Sequence, residues 1–399
     1  MRVLLIHNRY ALRGGEDEST DAERALLESN GHAVEMLEVS NEGLSDTLEV
    51  RRATAALGMG VRSIWSRQAG RAVDDHIARF QPDIVHVQNT FPKLSPAVHY
   101  AAQRNGVPVV QTLRNYRLIC PKASFFRDGA PCEDCLGKLV PTPSVRHGCY
   151  RDSRATTVWV AAGQAIHTAL GTWRSEVDLF ISPSEFTRHK YIESGLIPAD
   201  RIVVKPNFLA DDPGPGTGEG DYFLFVGRLS EEKGIATLLA AWSQVPHTER
   251  LEIIGNGPLN SEVEAFAARH PGVTWQGRVS NDEAVRAMGR AKALIFPSVW
   301  YETFGRVAME AFATGTPVIG SDLGAVAEVV AGSDAGMLFE PGNASELAKA
   351  INWAVGERGA MRDMRRAARA TYEDKYTAAG NYDQLLAAYE LARERHAAG

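Results

Sequence analysis

Tyr222-Phe223-Leu224-Phe225-Val226-Gly227-Arg228-Leu229-Ser230-Glu231-Glu232-Lys233-Gly234 reads as a short apolar run, a charged loop between two glycines, and the opening of a helical segment at Ile235–Ser243. Five consecutive apolar residues ending at a glycine have the length of a buried strand, not of a helix. The same unit recurs outward along the chain. Leu251–Ile254, Val273–Gln276, Ala293–Phe296 and Pro317–Gly320 are further short apolar runs, and Ser261–His270, Asn281–Arg290 and Gly305–Ala313 carry helical spacing between them. Parallel strands need a crossover, and crossover helices bury both faces of the sheet they serve, so this alternation predicts a parallel sheet.

Working back to the start, Arg2–Asn8 is a strand, Gly14-Gly15 a break, Glu16–Ser29 a helix stopped by Asn30-Gly31, and His32–Val39 a second strand. Asp83–Val87 and Val107–Val110 extend the same sheet, with a helix near Ala72–Phe80 between them and the first pair. The 399 residues exceed what one hydrophobic core holds, since such cores stop growing near roughly 250–300 residues. Asp211-Asp212-Pro213-Gly214-Pro215-Gly216 has linker composition. The expected division is 1–206, 207–375 and a C-terminal helical segment 376–399 centred on Tyr382–Arg395, with a return to the first domain as one reading of that helix. The fold class is therefore α/β, two doubly wound Rossmann-like domains facing across a cleft. Such sheets bind ligands outside the carboxyl ends of their strands.

Composition narrows the function. The chain is 44% hydrophobic and 23% charged, with a net charge of −6, which excludes a disordered or disulfide-scaffold protein and gives no reason to expect nucleic-acid binding. The N-terminus lacks the long apolar region and small-residue cleavage site of a signal peptide. The uncharged stretch Ala155–Trp173 includes Thr156, Thr157, Gln164, His167, Thr168 and Thr172, too polar for a membrane span, so a buried or half-buried helix is expected there. These features point to the cytoplasm.

Two loops carry candidate chemistry. Arg228 offers a planar fork for phosphate oxygens and Lys233 a point charge, both at the end of a strand. The second loop, Phe296–Gly305, opens the helix that contains Glu310. Gly305 permits close approach of backbone N–H groups to a ligand, and the helix start favours an anion. Glu302 and Glu310 make sense beside phosphate if they accept hydrogen bonds from ribose or sugar hydroxyls. The alternatives are surface charges in the first loop, and one capping acid plus one surface glutamate in the second.

The run Gly227–Gly234 with Glu302-x7-Glu310, supported by Ile253–Pro258, Phe296-Pro297-Ser298, Ala313–Ile319, Lys205-Pro206-Asn207, Gly14-Gly15 and Asp83–His86, resembles retaining glycosyltransferase family 4, of GT-B fold. The resemblance covers nearly the whole chain. It implies transfer of a sugar from a nucleotide-diphosphate donor to a hydroxyl acceptor with retained anomeric configuration, a hexosyltransferase activity of bacterial polysaccharide or glycolipid assembly. Arg228, Lys233 and Glu302 would be the catalytic set: Arg228 and Lys233 on the diphosphate, Glu302 on the donor sugar. Glu310 would bind ribose hydroxyls, and Gly15, Gly227, Phe304 and Gly305 would complete the donor site. Gly14, Arg114 and Asn115 would face the acceptor. Arg114 stands where family members often carry histidine, and an arginine stays protonated, so it would bind an anion instead of accepting a proton. No cofactor is needed for such catalysis. A nucleotide-sugar epimerase on the same fold is the alternative enzyme. A nicotinamide dehydrogenase is disfavoured because the first turn has no Gly-x-Gly-x-x-Gly, and a non-catalytic sugar binder needs no phosphate loop.

Two features remain. All 4 cysteines, Cys120, Cys132, Cys135 and Cys149, fall within thirty residues, and Cys132-x2-Cys135 has metal-knuckle spacing, with His147 as a spare ligand. A structural zinc, inert thiols and a redox pair are the three readings. From Arg51 to Arg154 there are 16 basic against 7 acidic residues, a local +9 that leaves −15 for the remainder. Arg51, Arg52, Arg62, Arg67 and Arg71 interleave with Ile64 and Trp65. This pattern suits either an amphipathic helix on the anionic inner face of a membrane or a solvated face meeting a phosphorylated acceptor. A lipid-linked sugar acceptor fits both.

Overall fold

The computed structural model describes residues 1–10, 14–41 and 60–398. Arg51 and Arg52 lie outside them. The chain divides into two compact units, Met1–Phe125 with Glu133–Pro206 and Asn381–Gly399, and Phe126–Cys132 with Asn207–Gly380.

The first unit is built on a six-stranded sheet of β1 (Arg2–Arg9), β2 (Ala33–Ser40), β3 (Ile84–Asn89), β4 (Val109–Thr112), β7 (Leu179–Ser182) and β8 (Ile202–Val204), in the order β2-β1-β3-β4-β7-β8. Every pairing in it is parallel. Val3, Leu4, Leu5 and Ile6 are fully buried, because helices cover both faces and a strand in that position has no solvent side. One cover is the last helix, Ala378–Ala398, whose Leu385, Ala388, Tyr389 and Ala392 pack with Val3, Leu5, Ile84 and Val110. β4 begins two residues later than the apolar run suggests: Pro108 has no N–H to give the ladder, so pairing starts beyond it.

Phe126–Cys132 forms a small antiparallel hairpin of β5 (Phe126–Arg127) and β6 (Ala130–Pro131). It turns at Asp128 and Gly129 with φ of 53° and 77°, the left-handed pair that a tight two-residue hairpin requires.

The second unit has the order β11-β10-β9-β12-β13-β14, with β9 (Phe223–Val226), β10 (Leu251–Ile254), β11 (Val273–Gly277), β12 (Leu294–Phe296), β13 (Val318–Ser321) and β14 (Gly336–Phe339). All pairings are again parallel. Alternate strand residues feed two cores, one on each side of the sheet: Leu224 and Leu294 enter one, Phe223, Phe225 and Ile295 the other.

The stretch expected as a half-buried helix is the helix Arg154–Ala169, followed by a separate turn at Thr172–Ser175 beyond Gly171. Thr157, Val160, Ala161 and His167 are buried, whereas Val158 and Ile166 are exposed. Among the described residues no helix is long and apolar enough to cross a membrane.

Candidate active site

In the second unit the strand order reverses between β9 and β12, and a crevice opens outside the carboxyl ends of strands at such a point. The loops that leave those two strands are 227–234 and 297–305, the two singled out by their residue content. Glycine lets them touch through bare backbone. A Cβ on Gly234 (φ 72°) would lie 1.8 Å from the Pro297 carbonyl oxygen, and one on Gly255 (φ 138°) 1.8 Å from that of Gly227. The Val299 N–H donates to the Glu232 carbonyl at 2.9 Å, and Gly227 N–H to Ile254 at 3.0 Å. The crevice therefore has a floor of packed main chain, with side chains rising from its rim.

Lys233 Nζ stands 2.5 Å from Glu302 Oε1 and 5.2 Å from the centre of the Trp300 ring. Ser298 Oγ donates to the same carboxylate oxygen at 2.9 Å. Arg228, next to them in the loop, is exposed. Gly305, with φ of 87°, caps the helix Arg306–Ala313, and Glu310 Oε1 accepts from Arg306 Nε at 3.0 Å. Both glutamates thus hold a cation. The Phe304 ring is buried edge-on to Tyr376 at 5.7 Å, so the crevice meets its backbone. Trp300 and Arg306 belong to this constellation and were not singled out in the sequence; Trp300 lies in the marked loop and Arg306 opens the helix after it.

In the first unit Gly14 caps the helix Gly15–Ser29 from extended backbone, and a Cβ on either Gly14 or Gly15 would meet nothing within 4 Å. Among the described residues, neither glycine is demanded by local packing. Asp17 beside them accepts the Gly14 N–H at 3.1 Å and hydrogen-bonds His7 Nε2 at 2.7 Å. Burial pushes the His7 pKa down, against the pull of Asp17, so the ring is neutral and Nε2–H is the donor.

Asn115 Nδ2 donates to Glu16 Oε1 at 2.8 Å, and Asn89 Nδ2 reaches Glu16 Oε2 at 3.4 Å. Asn115 also approaches the Tyr10 hydroxyl at 3.4 Å. Tyr10, Glu16, Asn89 and Asn115 so converge from the carboxyl ends of β1, β3 and β4. Burial raises the Glu16 pKa, while the Asn115 hydrogen bond and the Arg114 charge oppose it. Tyr10, Glu16 and Asn89 carry no motif; topology alone assembles them.

Arg114 turns inward. Its Nη2 lies 3.0 Å from Glu23 Oε2, and its Nε and Nη2 donate to Gln88 Oε1 at 3.0 and 2.8 Å. Lys205 Nζ donates to Glu23 Oε1 at 2.7 Å and to Asn381 Oδ1 at 2.9 Å. Burial alone would raise the Glu23 pKa, but the Lys205 and Arg114 charges hold it well below the usual carboxylate range. An arginine expected to meet a ligand anion is thus engaged by a buried carboxylate of its own unit.

Among the described residues no group of three or more His, Cys, Asp or Glu side chains could hold a metal ion. Cys120 is buried, and Cys135 Sγ turns toward the Pro141 carbonyl at 3.9 Å. The knuckle spacing of Cys132 and Cys135 brings no tetrahedral ligand set with it.

Residues 15–207 match the family described as glycosyl transferase 4-like domain, and residues 212–371 match glycosyl transferases group 1. A glycosyltransferase of Methanocaldococcus jannaschii is 30% identical over 177 residues, 43% of this chain and 45% of that protein. The glycogen synthase of Mycobacterium tuberculosis is 33% identical over 161 residues, 39% of this chain and 38% of that protein. The chain therefore spans less than half the length of these curated relatives. The solved structure of Anabaena HepE in complex with UDP-glucose superposes with a TM-score of 0.66 at 17% identity, covering 97% of this chain and 98% of that one.

Proposed function

Joining a glycosyl transferase 4-like domain to a glycosyl transferases group 1 domain, the chain belongs to the GT-B glycosyltransferases, and we propose that it moves a hexosyl group from a nucleoside-diphosphate sugar to a hydroxyl acceptor with retention at the anomeric carbon. The observation that carries this reading is the loop 227–234, with Arg228 exposed and Lys233 against Glu302, leaving β9 where the strand order reverses and packing on the neighbouring loops through glycine. The bond to the anomeric carbon breaks toward the diphosphate, and charge collects on the departing oxygens. Cations already in place stabilise that charge without reorganising, which lowers the barrier. Glu302 holds the Lys233 ammonium in the resting crevice and accepts sugar hydroxyls once phosphate takes over the cation. Glu310 takes the ribose hydroxyls. HepE, of like fold, binds UDP-glucose, which supports a nucleotide sugar as donor here.

The acceptor is read on the first unit, where Glu16, Asn89 and Asn115 offer a carboxylate and two amides to sugar hydroxyls. A lipid-linked sugar of polysaccharide or glycolipid assembly, met at the anionic inner face of a membrane, agrees with the local excess of basic residues.

The test is a thermal-shift series with UDP-, GDP-, ADP- and TDP-sugars followed by turnover of Arg228→Ala. One donor class should raise the melting temperature by mass action. The variant should keep its unfolding midpoint and lose on the order of 10²–10³-fold in turnover, the usual cost of one such contact. Donor-dependent turnover unchanged in Arg228→Ala refutes the assignment.

A further inference from the structure

Seven of the eight large apolar side chains exposed among the described residues fall between Val61 and Leu170, all in the first unit. A scattered set is ordinary for a protein surface, but this one is gathered. Val158, Ala162, Ile166 and Ala169 follow one another along the outward stripe of the helix Arg154–Ala169, where none is buried. The short helix at 60–64 lies against the same helix: a Cβ on Gly60 would lie 2.7 Å from the Trp159 ring, and one on Gly163 3.3 Å from Ile64. His167 Nε2 hydrogen-bonds the Ile64 carbonyl at 2.9 Å. The Trp65 ring, 40% exposed, stacks 6.3 Å from His167 and stands edge-on to Tyr100 at 5.1 Å. That places it beside the end of the helix that carries Ile166 and Leu170.

The charges of these segments have one sign. Residues 60–73 and 154–174 contain Arg62, Arg67, Arg71, Arg154 and Arg174 and no Asp or Glu, and all five arginines are exposed. We infer that the outward face of helix Arg154–Ala169, together with Val61 and Trp65, is a shallow insertion surface for an anionic lipid bilayer. Aliphatic and indole groups enter the headgroup boundary while arginines pair with lipid phosphates. A second copy of the chain is the wrong occupant, because a two-fold contact would set these arginines against themselves.

Position adds to the argument. The same helix, through Trp159, Gly163 and Gln164, lines a cavity of about 60 Å³ with Thr90, Phe91 and Arg117 from the loops after β3 and β4. Those loops leave the strand ends where the acceptor is read, so a lipid-anchored acceptor bound at the patch has its polar head beside them. This last step rests on the proposed glycosyl transfer; the lipid surface itself does not.

Flotation with vesicles of phosphatidylcholine alone, or of phosphatidylcholine mixed with phosphatidylglycerol, tests the surface. The full chain should float only with the anionic vesicles and be released by salt, since exposed charges are screened. Ile166→Glu with Leu170→Glu, and separately Arg62→Glu with Arg154→Glu, should each weaken binding by at least about tenfold, given roughly 1 kcal/mol per surface arginine. The donor-induced thermal shift should be the same in both variants as in the parent, which shows them folded and keeps this test apart from that of sugar transfer. Flotation equal in parent and variants, or equal with and without phosphatidylglycerol, overturns the inference. So does velocity sedimentation showing a parent dimer that either variant dissolves.

Discussion

The two units present their strand ends in opposite ways. In the second, the loops beyond β9, β10 and β12 meet through glycine backbone, and a few partly exposed side chains rise from the rim. In the first, the loops beyond β1, β3 and β4 meet through side chains, and the centre is a buried ionic cluster in which Glu23 serves both Arg114 and Lys205. A main-chain floor suits a ligand part that is always the same, such as a diphosphate, because it depends on shape more than on residue type. A side-chain floor suits a part that varies, because one substitution alters it. On the proposed reading, the comparison makes the donor half the generic one and the acceptor half the particular one.

The largest effect should come from Glu23→Ala. It leaves two buried cations without their counter-charge, and breaking one side of a buried pair costs about 3–5 kcal/mol. Urea unfolding should register that loss, with faster hydrogen exchange in β1 and β4 and unchanged protection in β9 and β10. Equal loosening of both units would break the distinction drawn above.

Acid should act on the same unit. Burial holds the pKa of His86 and of His99 down at about 4, below an ordinary value near 6.5, so the unfolded chain takes up more protons between those limits. Their contribution is complete above about pH 6.5 and drains as pH falls toward 4. The melting temperature should follow that window, and His86→Gln should flatten it.

Gly234→Ala should cost about 1–3 kcal/mol, the range for a residue forced into left-handed backbone, and should weaken donor binding as the two loops part. Glu302→Gln should be milder. Without the carboxylate, Lys233 is open to phosphate, so a nucleoside diphosphate should bind severalfold more tightly while sugar transfer slows; calorimetry and turnover on one preparation would show both. Gly14→Ala should be smallest, within about 0.5 kcal/mol as for an unconstrained surface position, since its Cβ meets nothing. Retained stability with lost transfer in that variant would place a ligand against this turn.

The loops of the second unit were legible because their signals are local. A strand, a glycine and a charged loop stand next to one another between Phe223 and Gly234, and Glu302 and Glu310 sit at fixed offsets in the next such unit. The side-chain cluster of the first unit was not. Tyr10, Glu16, Asn89 and Asn115 are far apart in sequence and share no periodicity, and the pairing of β1, β3 and β4 alone brings them together. Arg114 shows the same limit: the sequence marks it as unusual, but only the fold reveals Glu23 waiting for it. β7, β8 and β14 were not anticipated, although β9, β10, β12 and β13 are likewise three or four residues long. The cysteine spacing shows the same limit, since local spacing says nothing of where Cys120 and Cys149 come to rest.

The last helix has a consequence for biosynthesis. Leu385 and Tyr389 complete the core around Val3 and Leu5, and Asn381 caps the ammonium of Lys205. The first unit, most of which precedes the second in the chain, therefore has its sheet fully covered only once residues 378–398 have been made. The portion made later, nearly continuous in sequence, can close first. Order of synthesis and order of completion run in opposite directions, and a nascent chain stalled before residue 378 would expose a bare apolar sheet for a chaperone to hold.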